Sequence, residues 1–127
     1  MCVRVFLADD AEVMRKAIRR LLSDREDIAV VGEASNIRET IQKTVELHPD
    51  LIILDVTMPE KDCIAPTKVK SLLNGAKILA ITLGADEVKD ELLHGIGAAK
   101  LLDKIDLSDQ LIPAILELAP AEATQPN

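Results

Sequence analysis

Five short apolar runs alternate with amphipathic helical patterns along this 127-residue chain. Strands that alternate with helices form a parallel sheet, because each helix returns the chain to the same end of the sheet. The pattern therefore predicts an α/β fold, a doubly wound sheet of five parallel strands with helices on both faces. The predicted strands are residues 3–8, 28–31, 51–55, 77–82 and 99–103, and the predicted helices are 11–23, 37–48, 64–73, 86–94 and 108–119. Pro113 lies deep in the last helix, which favours a start later than residue 108.

Four of these runs end on, or just before, polar or charged residues. Asp9 and Asp10 follow the first run, Asp55 closes the third, Thr82 closes the fourth and Lys104 follows the fifth. The carboxyl ends of parallel strands meet at one edge of the sheet, and the ligands of open α/β sheets bind there. Three carboxylates, a hydroxyl and an ammonium at that edge predict a metal-assisted phosphoryl-acceptor site.

The composition is typical of a single soluble globular domain. Hydrophobic residues make up 48% of the chain and Phe6 is its only aromatic residue, so we expect an aliphatic core. The net charge of −7 argues against a nucleic-acid surface, because such a surface needs a basic patch. The pairs Arg15-Lys16 and Arg19-Arg20 have the spacing of a solvated helix face.

The location and extent of the domain also follow from composition. Cys2 and Cys63 are too few for a disulfide framework, and no apolar run approaches the roughly 20 residues that span a bilayer. The N-terminal strand is too short and too acidic at its end for a signal peptide, so we expect a cytoplasmic protein without membrane contact. We expect residues 1–119 to form the domain, and residues 120–127 to form a linker or disordered tail.

Each of the polar strand-end residues also has an ordinary structural interpretation. Asp9 or Asp10 alone would cap the following helix, and Asp55 would be a turn residue. Thr82 would be an ordinary strand end and Lys104 a solvated charge. Two adjacent carboxylates repel each other unless a cation lies between them, and a carboxylate that closes a buried strand needs a partner. The five residues together therefore favour one shared site.

This combination resembles the receiver domains of two-component response regulators over about residues 2–119. The resemblance is carried by Asp9-Asp10, the Asp55–Pro59 segment, Thr82 and Lys104. The segment Val30–Ala34 is similar to receivers of the subfamily with a C-terminal helix-turn-helix output domain. The resemblance implies a flavodoxin-like three-layer sandwich with strand order 2-1-3-4-5.

The resemblance also implies a chemistry and a set of partners. Asp55 would accept a phosphoryl group from a histidine kinase or a phosphotransfer protein, with Mg²⁺ as cofactor. The domain would phosphorylate and dephosphorylate itself without being a turnover enzyme, and it would signal through its fourth and fifth strand–helix units. A homodimer through the last two helices and a DNA-binding domain beyond Asn127 are further expectations. The implied catalytic residues are Asp55, Thr82 and Lys104, and the implied metal ligands are Asp10, Asp55 and the Thr57 carbonyl, with Asp9 assisting through water.

Two departures from the family pattern leave a second function open. Leu101 stands where receivers usually have an aromatic residue that moves with the hydroxyl residue, and Leu83 stands where a small residue is usual. The alternative is a receiver-fold protein-binding module with weak or atypical phosphorylation-dependent switching. Dehalogenase-like phosphatases match less well, because Thr57 replaces their second aspartate. A flavodoxin matches poorly because Asp9 and Asp10 would repel its phosphate.

Overall fold

A five-stranded parallel sheet organises the chain in the computed structural model, which describes residues 2–58, 75–84 and 90–120. The strands are β1 (Val3–Ala8), β2 (Ile28–Ala34), β3 (Leu51–Asp55), β4 (Lys77–Thr82) and β5 (Ala98–Asp103). The described helices are α1 (Glu12–Leu22), α2 (Ile37–Leu47), α3 (Asp90–Ile96) and α4 (Leu107–Leu118), with a 3-10 helix at Lys104–Asp106 before α4. The strand order is β2-β1-β3-β4-β5, all parallel, which confirms the predicted fold.

The predicted element boundaries agree with the structure except near a few loops. β2 continues past its predicted end to Ala34. α4 begins at Leu107 with Pro113 inside it, so the later start that we predicted was wrong. The 3-10 helix, which Asp103 caps, leads directly into α4 and fixes its first residues. The predicted helix 64–73, the start of the helix predicted at 86–94, and residues 121–127 lie outside the described residues.

The sheet is buried on both faces, because successive side chains of a strand point to opposite sides. On one face, Ile53 and Leu79 pack in a cluster with residues of α1 and α4. On the other face, Phe6 and Ile52 pack in a cluster that includes Ile37 of α2 and residues of α3. All five residues of β3 are buried, as expected for a central parallel strand. None of the helices in the described ranges is long and apolar enough to cross a membrane.

The strand register brings the polar strand ends to one level of the sheet. Asp55 pairs with Ile81, the residue before Thr82. Thr82 in turn pairs with Asp103, the residue before Lys104. Because paired residues of adjacent strands are neighbours, the predicted site residues of β3, β4 and β5 are gathered at the carboxyl edge of the sheet.

Candidate functional site

The centre of the site is a buried lysine between two buried carboxylates. Lys104 Nζ lies 2.8 Å from Asp9 Oδ2 and 3.0 Å from Asp55 Oδ2. Asp9 is 1% exposed and Asp55 is 2% exposed, and the side chain of Lys104 is 8% exposed. Three sequence-predicted residues that lie far apart in the chain therefore meet in a site largely shielded from water.

Burial and pairing act on these groups in opposite directions. Burial raises the pKa of Asp9 above its ordinary value, and the charge of Asp55 adds to this increase, although contact with Lys104 opposes it. Burial alone would lower the pKa of Lys104, but its contacts with Asp9 and Asp55 outweigh burial and raise it. The site therefore favours the charged form of Lys104, whereas burial disfavours the ionised form of Asp9.

A third carboxylate completes an acidic group that suits a divalent cation. Oxygen atoms of Asp9, Asp10 and Asp55 lie within 4.8 Å of one another, and Asp10 is exposed. Asp9 Oδ2 is buried and, despite its ion-pair contact with Lys104, accepts no well-formed hydrogen bond within the described part of the chain. Carboxylate oxygens are the ligands that Mg²⁺ prefers, so this set of donors fits such an ion.

The helix-capping interpretation of the acidic pair does not describe what the structure contains. The N-cap position of α1 is Ala11, which has no side-chain cap bond. Asp9 Oδ1 accepts a hydrogen bond of 2.9 Å from the Ala11 N–H, whereas a capping side chain would accept from an amide inside the first helical turn. Asp9 therefore shapes the turn between β1 and α1 and keeps its other oxygen at the site.

The hydroxyl of Thr57 is a contact that sequence reasoning missed. We expected only the carbonyl of Thr57 to take part in the site. In the structure Thr57 Oγ1 donates to Asp55 Oδ1 at 2.6 Å, and the Thr57 N–H donates to the same oxygen at 2.9 Å. A threonine two residues after an aspartate in a turn is the available signal, because such side chains bond to nearby groups in turns. Asp55 thus has donors on both of its carboxylate oxygens.

The hydroxyl of the predicted residue Thr82 bonds to the backbone of its own loop. Thr82 is fully buried, and its Oγ1 donates to the carbonyl of Leu83 at 3.2 Å. The side chain of Leu83 is exposed to solvent. Leu101, which pairs with Ala80 in the sheet, is only half-buried.

Arg15 is a second contact that sequence reasoning missed. Its Nη1 donates to the backbone carbonyl of Asp9 at 2.5 Å, and its Nε donates to Glu33 of β2 at 3.0 Å. Glu33 also pairs with Arg19. We predicted that Arg15 lies on a solvated helix face, but its side chain is only 16% exposed. The guanidinium therefore fixes the backbone of the acidic turn against β2.

Comparison with known proteins identifies what this chain is similar to. The family model described as the response regulator receiver domain matches residues 5–116. A protein-glutamate methylesterase/protein-glutamine glutaminase of Methanosarcina acetivorans is 35% identical over 137 aligned positions, which cover 91% of this chain and 39% of that protein. The response regulator protein VraR of Staphylococcus aureus is 41% identical over 83 positions, which cover 65% of this chain and 40% of that protein.

The same similarity extends to solved structures. The crystal structure of the response regulator domain of Thermotoga maritima CheB matches with a TM-score of 0.78 at 22% identity, covering 99% of this chain and 100% of that one. At this identity the match supports the fold alone. The chain spans about two fifths of the length of the curated relatives that it matches.

Proposed function

This chain belongs to the family of response regulator receiver domains, and we propose that it accepts a phosphoryl group on Asp55 in a Mg²⁺-dependent reaction. Phosphoryl acceptance on an aspartate is the function of the family. The observation that carries the assignment to Asp55 is its position at the end of β3, where it is buried, contacts Lys104 at 3.0 Å and lies beside two further carboxylates. A buried carboxylate with a shared cation is a suitable nucleophile for a phosphorus centre.

The proposed step follows from the groups around Asp55. An oxygen of Asp55 attacks the phosphorus of a phosphohistidine donor, an O–P bond forms as the P–N bond breaks, and the electron pair leaves on the imidazole nitrogen. Attack from Oδ2, the oxygen nearest Lys104, puts the developing charge beside the ammonium. Thr82 supplies a donor to a second phosphoryl oxygen once its hydroxyl leaves the carbonyl of Leu83.

The proposed metal ligands are Asp10, Asp55 and the carbonyl of Thr57, with Asp9 assisting through water. The fit is supported by the cluster of carboxylate oxygens of Asp9, Asp10 and Asp55. When bound, Mg²⁺ would neutralise part of the charge on the carboxylates and the phosphoryl group. The chain's own contribution is to hold these oxygens in place, which the bond between Asp9 and Ala11 and the clamp from Arg15 both support.

The remaining parts of the proposal concern the whole protein. The phosphoryl donor would be a histidine kinase or a phosphotransfer protein. The protein would be cytoplasmic, and it would phosphorylate and dephosphorylate itself without turning over a separate substrate. The response would pass through β4 with α3 and through β5 with α4. The last two helices, α3 and α4, would also form a homodimer contact. Residues 1–119 would be the receiver domain, residues 120–127 a linker, and a DNA-binding domain would follow Asn127.

Intact-mass measurement after incubation with acetyl phosphate and Mg²⁺ tests the proposal. We expect one added phosphoryl group on the wild type, none on Asp55→Asn, and none when EDTA removes the metal. Asp24→Asn is the matched control, because Asp24 is an exposed aspartate in the turn after α1, and it should be phosphorylated like the wild type. A wild type without the adduct, or an Asp55→Asn variant that keeps it, contradicts the assignment.

A second candidate function is supported by Leu101. Its aliphatic side chain on β5 is half-buried and has no ring to move between a buried and an exposed position. The domain would then bind a protein partner whether or not it is phosphorylated. Backbone chemical shifts with and without beryllofluoride and Mg²⁺ separate the two functions. Shifts that reach α3, β5 and α4 support the switch, and shifts confined to the strand-end loops support the binding module.

A further inference from the structure

One peptide group next to the site is held from both sides. Thr82 Oγ1 donates to the carbonyl of Leu83 at 3.2 Å. The N–H of Gly84, which belongs to the same peptide unit, donates to Asp103 Oδ2 at 3.2 Å. The hydroxyl of Thr82 and the carboxylate of Asp103 therefore share one rigid, planar group between them.

The same carboxylate also holds the turn that carries Lys104. Asp103 Oδ1 accepts a hydrogen bond of 3.1 Å from the N–H of Ile105 and so caps the 3-10 helix Lys104–Asp106. This helix leads directly into α4. The two oxygens of Asp103 thus join the loop after β4 to the turn that follows β5.

We propose that Asp103 is a positioning residue that couples the orientation of the Thr82 hydroxyl to the turn that carries Lys104. The role of this coupling in phosphorylation rests on the proposed function, whereas the hydrogen bonds that form it do not. When the hydroxyl turns toward a phosphoryl oxygen, it leaves the carbonyl of Leu83, and the peptide between Leu83 and Gly84 loses one of its two restraints.

The peptide is able to respond because Gly84 has φ = +79°. Glycine occupies positive and negative φ almost equally, so rotation of this peptide meets little steric resistance. Rotation changes the bond from the Gly84 N–H to Asp103, and Asp103 transmits the change to the cap on Ile105. The coupling therefore runs through three hydrogen bonds, from Thr82 to the start of α4.

Asp103→Asn is the decisive substitution, because it keeps the size of the side chain and removes one acceptor. An asparagine has one carbonyl oxygen, so its side chain no longer accepts from both Gly84 and Ile105 through separate carboxylate oxygens. Asp106→Asn is the matched control, since Asp106 lies in the same turn and makes no side-chain cap bond to α4. Asp103→Ala, which removes both acceptors, is the second variant, and far-UV circular dichroism verifies that each variant is folded.

The test is a double-mutant cycle with Thr82→Val, read from the backbone amide shifts of the full chain without metal or phosphate. In the otherwise wild-type chain and in the Asp106→Asn variant, Thr82→Val should change the amide chemical shifts of Gly84, Lys104 and Ile105. In the Asp103→Asn and Asp103→Ala variants, Thr82→Val should no longer change the chemical shifts of Lys104 and Ile105. Equal shifts in all backgrounds, or no shift at Ile105 in the parent, overturn the coupling.

A second measurement connects the coupling to chemistry. We expect Asp103→Asn to slow phosphorylation by acetyl phosphate about fivefold, the size of one lost hydrogen bond of about 1 kcal/mol, while Asp106→Asn leaves the rate unchanged. An unchanged Asp103→Asn rate contradicts the functional part of the inference. The double-mutant cycle is measured without phosphorylation, so its result does not depend on whether Asp55 is the phosphoryl acceptor.

Discussion

Replacing Lys104 with methionine tests whether the fold depends on the charge at the site. Methionine keeps an unbranched side chain of similar length but has no charge to balance Asp9 and Asp55. Both carboxylates are almost fully buried, and their oxygens belong to a group that lies within 4.8 Å. The variant therefore retains the packing of the wild type and leaves two buried like charges without their cation.

The repulsion between the two carboxylates and the cost of protonating one of them set a similar size for the loss of unfolding free energy. The carboxylate oxygens lie at most 4.8 Å apart, and at that limit, with an effective dielectric constant of about 20, two like charges repel by about 3.5 kcal/mol. One carboxyl could instead take up a proton, which for an ordinary pKa of 3.8 costs about 4 kcal/mol at neutral pH. The repulsion therefore cannot destabilise the fold by more than about this amount. Both values agree with the roughly 3–5 kcal/mol that is lost when one partner of a buried ion pair is removed. We expect Lys104→Met to lose about 3–4 kcal/mol of unfolding free energy at pH 7.

The loss should depend on pH in a defined direction. In the variant, the pKa of Asp9, which burial already raises, should rise further above its value in the unfolded chain. The folded state then binds more protons than the unfolded state above about pH 4, so the variant loses stability as the pH rises toward 7. In the wild type the raised pKa of Lys104 contributes stability that is fully present below pH 10.5 and is lost only above it. The difference between the two proteins should therefore shrink toward pH 4.

Urea unfolding followed by far-UV circular dichroism measures these differences, because the chain has no tryptophan or tyrosine for fluorescence. Lys100→Met is the matched control, since Lys100 is 39% exposed and pairs at 2.8 Å with the exposed Glu117. Its loss should stay below about 1 kcal/mol at every pH. A Lys104→Met loss as small as that of the control, or one that is equal at pH 5 and pH 7, refutes the reasoning.

Three further substitutions test single contacts. Thr57→Val removes the 2.6 Å hydroxyl donor from Asp55 Oδ1 and leaves only the Thr57 N–H on that oxygen. We expect phosphorylation by acetyl phosphate to become about fivefold faster, because Oδ1 is then more available to the metal while Oδ2 attacks; an unchanged rate in timed mass-spectrometry samples would contradict this. Asn36→Ala removes the cap whose Oδ1 accepts from an amide of α2 at 2.8 Å, and urea unfolding should show a loss of about 1 kcal/mol. Gly32→Ala would bring a Cβ to 2.7 Å from Leu47 Cδ1, which is able to move, and to 3.0 Å from Cε2 of the fully buried Phe6 ring, which has no room to move. The same assay should show a loss of about 1–3 kcal/mol, and wild-type stability would contradict this.

The main features of the site could be predicted because parallel strands force their ends together. Asp55 closes a fully buried strand, where a carboxylate needs a partner, and it lies at the carboxyl edge where the ligands of open α/β sheets bind. Lys104 follows the last strand, and the pairing of Thr82 with Asp103 brings it to the same edge. These placements depend on strand direction, which the alternation of strands and helices determines, and on strand order, which only the resemblance to receiver domains implied.

The contacts that were missed depend on how separate elements face one another. Arg15 of α1 donates both to the carbonyl of Asp9 after β1 and to Glu33 of β2, so its contacts depend on how three elements meet. Nothing in the local sequence of α1 distinguishes this arginine from its solvated neighbours. The bond between Gly84 and Asp103 likewise joins the loop after β4 to the last residue of β5, 19 residues away. Periodicity locates elements, but it does not give the rotation of a helix or the direction of a loop amide.

The shared position of Lys104 links the stability of the fold to the proposed chemistry. Without a phosphoryl group, its ammonium balances Asp9 and Asp55 at 2.8 and 3.0 Å. Phosphorylation of Asp55 would move negative charge from the carboxylate to the phosphoryl oxygens, and the buried ammonium would have to follow it to stay balanced. Lys104 is the first residue of a 3-10 helix that leads into α4, so that movement acts on the helix directly. Under the proposed function, charge balance would therefore provide a route from the site to α4 that needs no aromatic ring at position 101.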